Sequence, residues 1–143
     1  MSSVQAFIVQ ANLRRALLAL ACALGAVGAQ AQSAMPQWKG EGAVRYVCGG
    51  IGSDESNAMR AAMKEHPLAL LFARSDGAYL ADVQVDIKGA AGAPSLALRA
   101  SGPVCLVDLP AGRYTVDVAT AGGSVQSQSV TVGGSPKTAS FRF

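Results

Sequence analysis

The side chains of this chain that are equipped for chemistry or recognition are few. They are Cys48 and Cys105, the single His66, the acidic pair Asp82 and Asp86, the glycine run Gly49-Gly-Ile-Gly52, and Met35, Trp38 and Tyr79. Two thiols can bridge, hold a metal or act as a nucleophile. The spacing contains no C-x-x-C and the only His is remote in sequence from both thiols, which weakens the zinc reading. Nothing in the sequence supplies a paired base to lower a thiol pKa, which weakens the nucleophile reading further. In an oxidising compartment an even pair has one intramolecular connectivity, so Cys48–Cys105 reads as a disulfide. Closing that loop is worth about 4 kcal/mol on the chain-entropy model.

Each remaining candidate has an ordinary structural alternative. Gly49-Gly-Ile-Gly52 before a helix suggests a phosphate loop, but no Gly-Lys-Ser/Thr ending follows, and Asp54 and Glu55 already place negative charge at the helix start. A sharp strand-to-helix turn is the expected role. His66, between Glu65 and Pro67, reads as a solvated residue of the last helical turn interacting with the dipole, rather than as a general base or metal ligand. Asp82 and Asp86 fall on one side of one strand about 13 Å apart at about 3.3 Å per residue. An inverting glycosidase pair needs roughly 6.5 to 9.5 Å, so a polar outer face is expected. Trp38, Met35 and Tyr79 are candidates for an aromatic sugar-binding patch, against the alternative of ordinary packing. No catalytic residue, cofactor site or metal site is assigned.

Composition removes other classes. The chain has 143 residues, half of them apolar and only 15% charged, which argues for one domain and against disorder. Met1 to Arg15 carries Arg14 and Arg15 without an acid, and Ala16 to Gly28 is an uncharged run too short to span a bilayer. Ala29-Gln-Ala31 offers small residues at the −3 and −1 positions, so 1–31 is expected to be a cleaved secretory signal. The alternatives are an uncleaved anchor and lipoprotein processing at Cys22, although Ala19-Leu-Ala21 fits a lipobox poorly. Without Arg14 and Arg15 the net charge of +3 falls to +1, leaving no basic field for nucleic acid. No transmembrane span is expected after cleavage, and the expected location is periplasmic or secreted.

The elements follow from periodicity. Gln32 to Gly42 has no regular period and reads as a flexible leader; Val44 to Val47 is a weak first strand ending at Cys48. A helix is expected near 53–66, with Ser53 as N-cap, Asp54 and Glu55 in the first turn, and Pro67 as its stop. Ala58, Met59, Ala62 and Met63 make one apolar stripe, so this helix should lie on a larger body. From Leu68 the period becomes two. Leu68 to Ala73 is a continuous apolar run suited to a central strand, and alternating segments follow around Val85, Leu98, Val116, Val130 and Phe141. Turn formers separate them about every ten residues, the beat of a β-sandwich. Val125 and Val130 have opposite parity, which predicts a bulge near Ser127.

Leu109-Pro-Ala-Gly-Arg-Tyr-Thr-Val116, followed by a Gly-Gly turn and another β-branched strand, resembles the LPxGxY corner of the carboxypeptidase regulatory-like, or transthyretin-like (prealbumin-like), sandwiches. Asp82 to Ile87 is similar to their earlier edge strand. The resemblance covers about Leu68 to Phe143 and implies that Tyr114 packs inward. Tyr46 to Glu55 and Gly77 to Val83 further resemble small exported proteobacterial proteins of this type. The helix after the first strand departs from the simplest pattern. The expected fold is therefore mainly β: an antiparallel sandwich of about seven strands over 43–143, with one short helix packed on it. The expected function is a non-enzymatic binding or assembly module of the cell envelope, its partner an envelope protein or a carbohydrate. The alternatives are a subunit or inhibitor of a larger envelope complex, or a small hydrolase or carbohydrate-active protein.

Overall fold

Leu68 to Ala73 is apolar on both faces because both faces are covered. In the computed structural model, which describes residues 34–143, this segment is strand β3 (Leu68–Ala73), and it lies inside a five-stranded sheet. Its even residues Leu68, Leu70 and Phe72 face the second sheet, while Ala69 and Leu71 face the helix. The expected signal 1–31 and Cys22 lie outside the described residues.

Among the described residues nine strands form two sheets. The others are β1 (Lys39–Glu41), β2 (Val44–Gly49), β4 (Val83–Gly89), β5 (Leu96–Ala100), β6 (Val104–Asp108), β7 (Gly112–Ala119), β8 (Val125–Val132) and β9 (Lys137–Arg142). The first sheet has the order β1-β2-β6-β3-β9 and the second β5-β4-β7-β8. Every pairing is antiparallel except β3 with β9, which is parallel. The mainly β sandwich is as expected, with more strands and one parallel pair. One added strand arises where a leader was expected: Lys39–Glu41 folds back on Val44–Arg45–Tyr46 as the outer half of a hairpin.

The helix α1 (Ser53–Ala62), extended by a 3-10 turn over Met63–Glu65, covers the outer face of the first sheet. Its Met59 is fully buried against Val47, Ala69, Val104 and Leu106, and Met35 and Trp38 pack on the same cluster. Leu106 and Val104 therefore point to the helix while Cys105 and Val107 point inward, which is why β6 is buried on both faces. Among the described residues no helix covers the second sheet. Its strands alternate strictly, with Val83, Val85 and Ile87 inside and Gln84, Asp86 and Lys88 on the outer side.

Three local expectations are corrected. The N-cap is Gly52, not Ser53, with φ +86°, and no side chain caps it. Asp82 stands before β4 with φ +58° and its carboxylate 3.4 Å from Arg99 Nε, so it does not share a strand face with Asp86. No bulge interrupts β8, whose register with β7 runs unbroken from Gly112↔Val132 to Ala119↔Val125. The parity fault has another cause. Val125 points outward and is exposed, while Gln126 and Gln128 take the opposite positions and donate their side-chain amides to the main-chain oxygens of Arg142 and Ser140 on β9. Two glutamines thus tie the edge of one sheet to the edge of the other, occupying carbonyls that would otherwise invite pairing with another chain.

On the open face of the second sheet Lys88 Nζ lies 2.7 Å from Asp117 Oδ2, and Ser127 Oγ donates to Asp117 Oδ1 at 2.6 Å. These two bonds hold the Asp117 carboxyl below its ordinary value, and the same partner holds the Lys88 ammonium above its own. Asp86 sits directly across from Asp117, a like-charge pairing that Lys88 offsets. With a depressed folded-state pKa, Asp117 favours the fold above its unfolded value near 3.8, and that contribution disappears as pH falls through the folded value. Lys88→Met should therefore flatten the acid limb of a stability-versus-pH curve below about pH 4. The pair is solvent-exposed, so the difference should be small and shrink further in high salt, as urea titrations at low and high ionic strength would read out.

Candidate functional site

Cys48 and Cys105 are directly paired residues of β2 and β6, and both side chains enter the interior between the sheets. They form a disulfide with an S–S distance of 2.07 Å and Cα atoms 4.1 Å apart. The thiols are thereby taken as structure, and a bridge of this kind fits an oxidising compartment. Immediately after β2, the glycine run makes the strand-to-helix turn, using positive φ at Gly50 (+96°) and Gly52 (+86°). Amides of this turn do bind an anion, but it is the chain's own. Gly50 N–H donates to Glu55 Oε1 at 2.7 Å and Ile51 N–H at 3.4 Å, so the carboxylate occupies the place a phosphate would need.

His66 is not a solvated helix-end residue. It follows the 3-10 turn in an extended conformation, is largely covered, and places Nδ1 2.7 Å from Asp108 Oδ1. The other Asp108 oxygen is 2.8 Å from Arg45 Nη2. Arg45 and Asp108 are directly opposed across β2 and β6, and β3 enters the sheet on the other side of β6, bringing His66 to the same carboxylate. Trp38 completes the cluster, its ring centroid 4.7 Å from that of His66 and 5.2 Å from the Arg45 guanidinium carbon. Chemically, a carboxylate-oriented imidazole is half of a hydrolytic relay. Among the described residues no hydroxyl or thiol is hydrogen-bonded to the ring, and no three of His, Cys, Asp and Glu converge as a metal would require. The arrangement acts as a clasp joining the first hairpin to β3.

The candidate patch of Trp38, Met35 and Tyr79 does not assemble, and for Met35 and Trp38 the packing alternative holds. Trp38 and Met35 pack on the core beneath the helix, whereas Tyr79 lies in the loop after β3 and is 59% exposed. Its hydroxyl accepts a hydrogen bond from Arg60 Nη2 of α1, and its main chain bridges to Ala73. Tyr79 instead forms the wall between two adjoining hollows. One, of about 230 Å³, is bounded by Arg60, Tyr79, Ser140 and Arg142 over the floor of β3 and β9. The second, of about 300 Å³, is bounded by Ile51, Leu80, Ala81 and Pro103.

Sequence reasoning missed Arg45, Arg60, Asp108 and Arg142 because no local pattern marks them. The contacts Arg45–Asp108, Arg60–Tyr79 and His66–Asp108 join residues 63, 19 and 42 positions apart, and only the tertiary fold makes them neighbours. The fold and this surface define a disulfide-fastened, two-sheet β-sandwich with a helix over one face and a solvent-facing second sheet. No protein-family profile matches the chain, and no curated protein shows significant sequence similarity to it.

Proposed function

We propose that this chain is a non-enzymatic binding or assembly module of the bacterial envelope, exported by its N-terminal signal, on a sandwich of the carboxypeptidase regulatory-like type. The reading rests on one observation above others: an exposed tyrosine between two open hollows, one flanked by arginines and the other apolar. Surfaces that combine an exposed aromatic with arginine are those at which binding energy concentrates. The family proposal draws support from the corner at Pro110-Ala-Gly112, after which Tyr114 is fully buried and donates its hydroxyl to Pro110 O at 2.7 Å. Export draws support from the disulfide, and among the described residues no helix is long and apolar enough to cross a membrane.

A photo-crosslinking residue placed at Tyr79 should capture a discrete envelope component in the producing cell, while the same residue at Thr115 on the second sheet should not. Equal labelling at both positions, or at neither, would sink the proposal. A partner captured in fixed stoichiometry would favour a subunit or inhibitor of a larger complex over a free-standing binder. The hydrolase reading is kept by the His66–Asp108 pair alone, and a turnover abolished by His66→Ala in a broad activity screen would install it instead. Intact mass of the exported protein should begin at Gln32; a lipid-modified species starting at Cys22 would place the domain on a membrane tether.

A further inference from the structure

The two hollows beside Tyr79 differ in chemistry and share walls. Tyr79 and Pro103 line both. The first contains Arg60 and Arg142 and no acidic residue in its lining. Among the described residues, Arg60 is hydrogen-bonded only to neutral oxygens, those of Ser56 at 3.4 Å and Tyr79, and Arg142 has no carboxylate partner. The nearest acidic side chain in the adjoining loop, Asp76, is paired with Arg74 at 3.3 Å, and the main-chain oxygen of Phe143 accepts the Ser75 amide. Two planar cations without counter-charge suit a carboxylate, which a guanidinium binds through parallel hydrogen bonds. The second hollow contains Ile51, 65% exposed, so two of the three large exposed apolar side chains among the described residues meet at this one place.

Resting on the binding-module reading above, we propose that this surface docks a polypeptide segment of a partner in which a carboxylate stands next to a Leu, Ile or Val side chain. The carboxylate lies between Arg60 and Arg142, and the apolar side chain fills the hollow against Ile51, Leu80 and Pro103. Size and openness favour a peptide. Each hollow lies below or at the lower end of the roughly 300 to 1,000 Å³ typical of enclosed small-molecule sites. Each therefore takes one side-chain-sized group, and a peptide presents two such groups side by side.

The test is a selection of randomised displayed heptapeptides on the oxidised full chain, followed by fluorescence anisotropy with the selected peptides. Enrichment of Asp or Glu adjacent to Leu, Ile or Val is expected, with affinity falling between 50 and 300 mM salt. Arg60→Ala combined with Arg142→Ala should weaken binding about tenfold or more, and Ile51→Ser roughly fivefold. Arg99→Ala on the second sheet should leave it unchanged. All four positions are exposed, so an unchanged thermal midpoint certifies the fold of each variant. No acidic-apolar enrichment, or equal affinity in the double arginine variant, overturns the proposal. So does arginine-dependent binding of anionic phospholipid vesicles without peptide binding. Crosslinking to an envelope partner from Tyr79 that survives Arg60→Ala with Arg142→Ala would leave the binding module standing and remove this ligand assignment alone.

Discussion

Replacing Cys48 and Cys105 together by alanine should cost about 4 kcal/mol of stability, the chain-entropy value for a loop of this length. The bridge spans 57 positions and closes β2 onto β6 from inside the sandwich. For a domain of this size the loss should lower Tm by roughly 15 °C. Reductant should lower the Tm of the parent by a similar amount and leave the double variant unaffected. Local consequences should be uneven. β2 lies between β6 and the three-residue β1, so its hydrogen bonds to β6, the Arg45–Asp108–His66 clasp and the packing of Val47 and Trp38 under the helix are what remain to hold the first hairpin. Amide exchange should therefore accelerate in Val44–Gly49 before it does in β4 or β7. Both thiols should resist labelling in denaturant until reductant is added. A Tm shift of only a degree or two would mean that the clasp and the strand pairing suffice without the covalent link.

Tyr114→Ala should be the most damaging single substitution in the second sheet, at about 3 to 5 kcal/mol, because its ring is fully buried in the main core cluster and is the largest side chain there. Tyr114→Phe separates packing from the hydrogen bond. It keeps the ring and removes only the donor to Pro110 O, a bond within one corner of the chain. The expected cost is about 1 kcal/mol, since Pro110 is exposed and its carbonyl can be rehydrated. Urea denaturation of the three proteins checks both values, with m unchanged if the native state stays compact. A Phe variant as damaged as the Ala variant would show that the hydroxyl, not the ring, sets the corner. Burial raises the Tyr114 phenol above its ordinary value, so the parent should also show one tyrosine that ionises late in an alkaline titration and that Tyr114→Phe removes.

How far the sequence reached depended on whether a signal was local. Alternation placed β4, β7 and β9, and the unbroken apolar run of β3 announced a strand covered on both faces. The stripe of Ala58, Met59, Ala62 and Met63 announced a helix that must lie on something, and Met59 is indeed fully buried. Where a single rule was applied to a mixed signal, it failed. Placing Val125 and Val130 on one face requires a bulge between them, but Gln126 and Gln128 take the face opposite Val125, where main-chain oxygens of β9 accept their amides. Ser53 had the right chemistry for an N-cap and the wrong position, because the chain turns on Gly52 at a positive φ and Glu55 reaches back to the turn.

The sequence by itself determined the mainly β character, the helix after the first strand, the inward tyrosine of the Pro110-Ala-Gly112 corner, and the one pairing open to two cysteines in an oxidising environment. Those properties depend on side-chain periodicity, turn chemistry and counting, all of which are written along the chain. Tertiary structure decided which strands are neighbours. Setting β6 between β2 and β3 opposed Cys48 to Cys105 and gave Asp108 both Arg45 and His66. Setting the parallel β9 beside β3 brought Arg142 within one hollow of Arg60 and Tyr79. Strand order is chosen by the burial and hydrogen bonding of the whole sheet, a sum over residues far apart in the chain, and so the surface that it creates has no signature in any one segment.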